Sequence, residues 1–209
     1  MRILVIRFSA LGDCILLCPF LEHLKTHGAE QISVVTKRGY IELFAAARGV
    51  DRVIAMDEKA GFRGLGQIIR THRAEGATVI DAHSSLRSRL LSSGLGGAGA
   101  RIKKYYRERF GLILFKKPCE IPAVGERYSS LGETLGFPPM ARMVGGIDIP
   151  ESAQVKTRSR LGGIDPQMVA IAPGSRWPMK RWSVEKYVDL TRRIIEGHGC
   201  HVVLLGNDL

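Results

Sequence analysis

The chain has 209 residues, with 31 Lys+Arg against 20 Asp+Glu and a formal net charge of +11. Hydrophobic residues make up 45% and charged residues 24%, ordinary globular values that exclude a disordered or fibrous chain. The length allows a sizeable core without disulfide or metal staples, no run of 18 apolar residues predicts a membrane span, and the charge predicts an anionic partner. Four cysteines without paired metal spacing suggest free thiols in a reducing compartment.

The opening Arg2-Ile3-Leu4-Val5-Ile6-Arg7 has no small-residue cleavage site and reads as a first strand rather than a signal peptide. Further strands read at 32–36 (ISVVT), 52–56 (RVIAM) and 78–82 (TVIDA), with helices near 13–27, 39–48, 62–74 and 85–93. In the first helix Ile15, Leu16, Cys18, Phe20, Leu21 and Leu24 keep a broad apolar face, and Cys14 and Cys18 on it read as packing residues. Short apolar strands separated by helices predict an α/β fold with a doubly wound parallel sheet and a ligand crevice at the strand carboxyl ends. From about 105 to 165 prolines punctuate the pattern. A helix near 126–136 and a connection at 147–165 with a short helix are expected there. A strand at 168–172, a helix at 183–197 with Ser183 as N-cap, and a strand at 201–205 follow. The predicted organisation is a Rossmann-like domain at 1–150, then a linker and the start of a second Rossmann-like domain at 151–209. A two-stranded unit covers too little sheet to stand as a domain, so the chain reads as part of a two-domain protein, the alternative being that 168–209 extends the first sheet and completes one domain.

Positive charge gathers at Arg87 and Arg89, along 101–109 (RIKKYYRER), at Lys116-Lys117 and at Arg176 to Arg181. The interleaved tyrosines of 101–109 also suit a single-strand nucleic-acid surface, but no nucleic-acid-binding signature accompanies them. A G-x-G-x-x-G match at Gly94–Gly99 follows a helix and precedes a strand-like segment, so it is a loop and not a dinucleotide fingerprint. His83, just past the fourth strand, lies where a ligand is expected. Neither G-x-S-x-G nor Walker A occurs.

Two segments carry chemistry. The turn Arg7-Phe8-Ser9-Ala10-Leu11-Gly12-Asp13 joins the first strand to the first helix, where backbone amides favour anions. Asp13 there is either an N-cap or a base that takes a proton from an acceptor hydroxyl. The segment 172–182 (APGSRWPMKRW) lies between a strand and a helix N-terminus. Gly174 allows close approach, Ser175 offers a hydroxyl, and Arg176, Lys180 and Arg181 offer cations for a phosphate or diphosphate. The alternative is a basic surface loop with Trp177 and Trp182 packed below it.

With IRFSALGD at 6–13, DAHSSLRSRLL at 81–91 and APGSRWPMKRWSVEKYVDL at 172–190, the chain resembles the ADP-heptose:lipopolysaccharide heptosyltransferases, glycosyltransferase family nine of the two-domain GT-B fold. The resemblance runs through the whole chain. It implies an inverting transfer of heptose from ADP-heptose to the lipopolysaccharide inner core, with no metal or other cofactor. It implies Asp13 as the catalytic base and Ser9, Gly12, Ser175, Lys180, Arg181 and Arg87 as substrate-binding residues, Lys180 on the donor diphosphate. Its implied partners are an ADP-sugar donor, an anionic glycolipid acceptor of the Kdo-lipid A type and the cytoplasmic face of the inner membrane, and not nucleic acid. Two other readings are a non-catalytic basic module for nucleic acid or anionic glycan, and an inactive fragment of the transferase.

Overall fold

The computed structural model describes residues 1–116, 118–141, 144–162, 167–175 and 178–206. It divides into two compact units, Met1–Ile149 and Pro150–Leu209.

In the first unit, β1 (Arg2–Ile6), β2 (Gln31–Lys37), β3 (Arg52–Met56), β4 (Thr78–Asp81) and β5 (Ala98–Arg101) form one sheet in the order β3-β2-β1-β4-β5. All four pairings are parallel. Helices α1 (Leu11–Thr26), α2 (Ile41–Ala45), α3 (Gly61–His72) and α4 (Leu86–Gly94) make the crossovers, followed by α5 (Tyr106–Phe115) and α6 (Val124–Thr134). The fold is thus the expected α/β doubly wound sheet, with one strand more than the four read in the sequence before residue 150.

The alternation of side chains along β1 explains how the sheet is covered. Ile3 and Val5 join a core with Cys14, Leu17, Phe20 and Leu21 of α1, Phe44 of α2 and Tyr128 of α6. Leu4 and Ile6 point to the other face, against Leu65 and Ile68 of α3 and Leu91 of α4. A central parallel strand buried on both faces is therefore apolar at every position after Arg2.

Apolar character along α1 did not decide burial throughout. Cys14 and Cys18 are buried as expected, but Leu11, Ile15 and Leu16 are exposed. Helix α5 is another departure: none of its residues is buried, and Tyr106, Phe110, Leu112, Ile113, Leu114 and Phe115 all face solvent.

The second unit holds α7 (Glu151–Leu161), β6 (Met168–Ile171), α8 (Val184–His198) and β7 (His201–Leu204). Strands β6 and β7 pair in parallel in a sheet of their own. Ser183 caps α8, its hydroxyl accepting from the Lys186 amide at 3.4 Å. Gly199, in the left-handed region at φ 61°, ends the helix, while Gly197 lies inside it.

Candidate active site

In the strand order β3-β2-β1-β4-β5 the chain reverses direction across the sheet between β1 and β4, and the crevice of such a sheet opens beyond the carboxyl ends of those two strands. A cleft of about 560 Å³ lies there. Its walls come from the segment after β1 (Arg7, Ser9, Ala10, Asp13), the turn after β4 (His83), the segment after β5 (Ile102, Lys104), α5 (Tyr106, Arg109) and α6 (Val124, Arg127, Tyr128).

Arg7 continues β1 by one bond, its amide donating to the Val35 carbonyl at 3.0 Å. Its side chain is buried. One guanidinium nitrogen donates to the Ala82 carbonyl at 2.6 Å, and the other pairs with the Asp13 carboxylate. Asp13 sits in the first turn of α1 but is not its cap: Ala10 occupies that position, with no side-chain hydrogen bond. The N-cap alternative therefore does not hold, and the carboxylate is left for Arg7 and the cleft, with its side chain 42% exposed. Tyr128 fixes the turn from above, its hydroxyl donating to the Asp13 carbonyl at 3.1 Å.

Asp81 explains the placement of His83. This carboxylate is fully buried at the end of β4. It accepts from the Ser84 amide at 2.7 Å, the His83 amide at 3.1 Å and Arg101 Nε at 3.1 Å. The turn closes around it, with Ser84 at φ 52°, and α4 then starts from a Ser85–Ser88 capping box. His83 lies edge-on to Phe8 with ring centroids 5.1 Å apart. Burial, then the cations Arg7 and Lys104, push its pKa down from 6.5 to about 4, so the imidazole is neutral at neutral pH.

Four cations, Arg7, Lys104, Arg109 and Arg127, thus face a cleft whose only carboxylate among the described lining residues is Asp13. Arg7 Nε, Arg127 Nε and His83 Nδ1 are buried without a hydrogen-bond partner. Such a wall favours an anionic, oxygen-rich ligand. Among the described residues no group of three or more His, Cys, Asp or Glu side chains could hold a metal ion.

Of the residues singled out in the sequence, Ser9 and Asp13 meet in this cleft. Gly12 is exposed in the first turn of α1, where an added Cβ would meet nothing within 4 Å. Arg87 is exposed at the start of α4 and is not among the lining residues. In the second unit, the loop after β6 leads into a single 3-10 turn, Pro178–Lys180. Arg181 ties this loop to itself, its Nε donating to the Ser175 carbonyl at 2.6 Å. Lys180 is exposed, and Trp182 is half exposed and packs edge-on to Tyr187 at 5.2 Å. Arg176 and Trp177 lie outside the described residues.

Sequence reasoning missed several cleft residues. Lys104 and Arg109 belong to the basic run 101–109 that drew attention for its charge, while Arg127 and Tyr128 carried no local signal. Arg7 carried one: a charged residue that directly follows an apolar strand at the crevice end.

A central parallel sheet with a basic cleft at its switch point has the architecture and charge suited to anionic, phosphate-bearing or carboxylate-bearing ligands. Residues 65–208 match glycosyltransferase family 9 (heptosyltransferase), and the chain belongs to that family. No curated protein matches it. Among solved structures it is similar to the glycosyl transferase family 9 protein of Veillonella parvula DSM 2008. The identity is 23% and the TM-score 0.72, covering 97% of this chain and 62% of that one. It is also similar to the E. coli heptosyltransferase WaaC with ADP (18%, TM-score 0.67, 100% of this chain and 68% of that one). A third is the E. coli ADP-heptose lps heptosyltransferase II (22%, TM-score 0.67, 99% and 65%). These likenesses are of fold. The chain spans between 62% and 68% of the length of these three structures.

Proposed function

We propose that the protein is a glycosyltransferase that moves heptose from ADP-heptose onto the anionic inner core of a lipopolysaccharide precursor, with inversion at the sugar. The observation that carries this reading is the cleft itself: one carboxylate, held by a buried arginine, among four cations at the switch point of the sheet. A donor of this class is supported by the family and by WaaC, whose structures contain ADP and ADP-2-deoxy-2-fluoro heptose.

In this scheme Asp13 takes the proton from an acceptor hydroxyl as that oxygen bonds to the sugar's anomeric carbon. The bond from that carbon to the diphosphate breaks, and ADP leaves. Charge builds on the diphosphate, and Lys180, Arg181, the Ser175 hydroxyl and the amino end of α8 are suited to hold it. The transition state resembles an oxocarbenium ion. Ser9, with Lys104, Arg109 and Arg127 of the cleft, serves the acceptor, a glycolipid of the Kdo-lipid A type whose carboxylates and phosphates match those cations. Gly12 and Arg87 belong to the substrate surface in this reading. The scheme uses no metal or other cofactor and no nucleic acid, and sets the protein in the cytoplasm against the inner membrane. Among the described residues no helix is long and apolar enough to cross a membrane.

The test is Asp13→Asn. Transfer from ADP-heptose to a delipidated inner-core acceptor should fall by roughly a hundredfold or more, with ADP binding unchanged by calorimetry. Transfer near the wild-type rate would remove Asp13 from the role of base.

A further inference from the structure

We infer that α5 is a membrane-docking element that dips into one leaflet of an anionic bilayer and brings the mouth of the cleft to the lipid headgroups. The inference deepens the proposed function, since a lipid-borne acceptor has to be met at a bilayer, but its physical basis is independent of sugar transfer.

The helix buries nothing against its own protein. Its second half, Phe110-Gly111-Leu112-Ile113-Leu114-Phe115, is apolar on every side, with Ile113 75% and Phe115 67% exposed. Apolar residues that surround a helix rather than striping it call for a surrounding apolar medium, not a groove that contacts one face. The helix has ten residues, so it is about 15 Å long. That is about half the hydrocarbon thickness of a bilayer, too short to cross, and with cations at both ends the helix lies along one leaflet rather than across it.

Charge selects the occupant. Residues 103–116 contain Lys103, Lys104, Arg107, Arg109 and Lys116 against one carboxylate, Glu108. The cations sit at both ends of the apolar segment, where long basic side chains reach a headgroup layer while the residues between them are buried in acyl chains. A second copy of this chain would bring the same positive ends together and be repelled. An anionic phospholipid surface answers both the apolar middle and the basic ends. The same helix then supplies Tyr106 and Arg109 to the wall of the cleft, so a headgroup sugar reaches the cleft without leaving the bilayer.

The experiment is sedimentation of the protein with vesicles of phosphatidylglycerol and phosphatidylethanolamine, and with vesicles of phosphatidylcholine alone. The wild type should bind the anionic vesicles and bind the neutral ones more weakly. Ile113→Glu combined with Phe115→Glu should lower anionic-vesicle partitioning by roughly tenfold or more. Its circular dichroism and its transfer to a delipidated acceptor should stay unchanged, because neither residue lines the cleft or belongs to a core. Lys103→Glu with Lys116→Glu should weaken binding to anionic vesicles and flatten its salt dependence. Undiminished vesicle binding by the double glutamate variant, or no vesicle binding by the wild type, would overturn the inference. So would a wild-type dimer that those glutamates dissociate. Vesicle binding that depends on α5 in a protein that transfers no sugar would uphold this inference while sinking the proposed function.

Discussion

Arg7 and His83 set the electrostatic character of the cleft before any substrate arrives. Arg7 contributes a charge that Ala82 and Asp13 hold in place. His83 contributes a neutral ring, because desolvation and two nearby cations oppose its protonation. The histidine predicts a pH dependence of stability. Unfolded it titrates near its ordinary 6.5, and folded near about 4, so between these values the unfolded chain binds more protons. The stabilisation is complete above 6.5 and is lost as pH falls towards 4. Urea unfolding at neutral pH and near pH 4.5 should record this loss, and His83→Gln should diminish it; an equal loss in that variant would assign the effect to another group. Asp13 was legible in the sequence as a carboxylate in the turn between the first strand and the first helix, whereas Ser9 was legible only through the family resemblance of IRFSALGD. The capping role open to Asp13 went to Ala10, since the helix starts two residues earlier than the sequence suggested. Arg127 and Tyr128 were not legible, because only the packing of a distant helix against α1 brings them to the cleft.

At the level of elements, periodicity located the crossover helices and the first four strands within a few residues. It did less well where composition is ambiguous. Strand β5 is Ala-Gly-Ala-Arg, without a β-branched or aromatic residue, and pairing with β4 makes it a strand. The exposed apolar residues of α1 and α5 show the same limit, since periodicity reports which residues share a face but not whether anything covers it. One short segment shows how tightly α1 is held. Gly146, at φ 83°, crosses α1 at Pro19, and its carbonyl accepts from the Arg48 amide at 2.9 Å. A Cβ there would lie 2.5 Å from the Cys18 carbonyl carbon and 2.8 Å from its oxygen, backbone atoms that cannot swing aside. Gly146→Ala should therefore lower unfolding stability by about 3 kcal/mol in a denaturant titration. A value within experimental error of zero would mean that this crossing yields easily.

For the molecule as a whole, cohesion is unequally shared. Among the described residues every buried hydrophobic side chain except Ile171 belongs to the first unit. Val184, Val188, Ile195 and Leu204 of the second unit are exposed. Native-state hydrogen exchange should find the slowest amides in β1, β2 and β4 and much faster exchange in β6 and β7; equal protection in both units would contradict this distribution. Sequence pattern did not reveal this contrast in burial, because it depends on how many layers close over each sheet. The strand order gives the contrast a local counterpart inside the cleft. Asp13 and Arg7 hang from β1, the innermost strand, whereas Lys104 follows β5 at the sheet's border and Arg109 rides on a helix with no core of its own. Warming would loosen that outer wall first, so under the proposed function the grip on an acceptor's anionic groups should fade at temperatures where the Arg7–Asp13 corner is still intact.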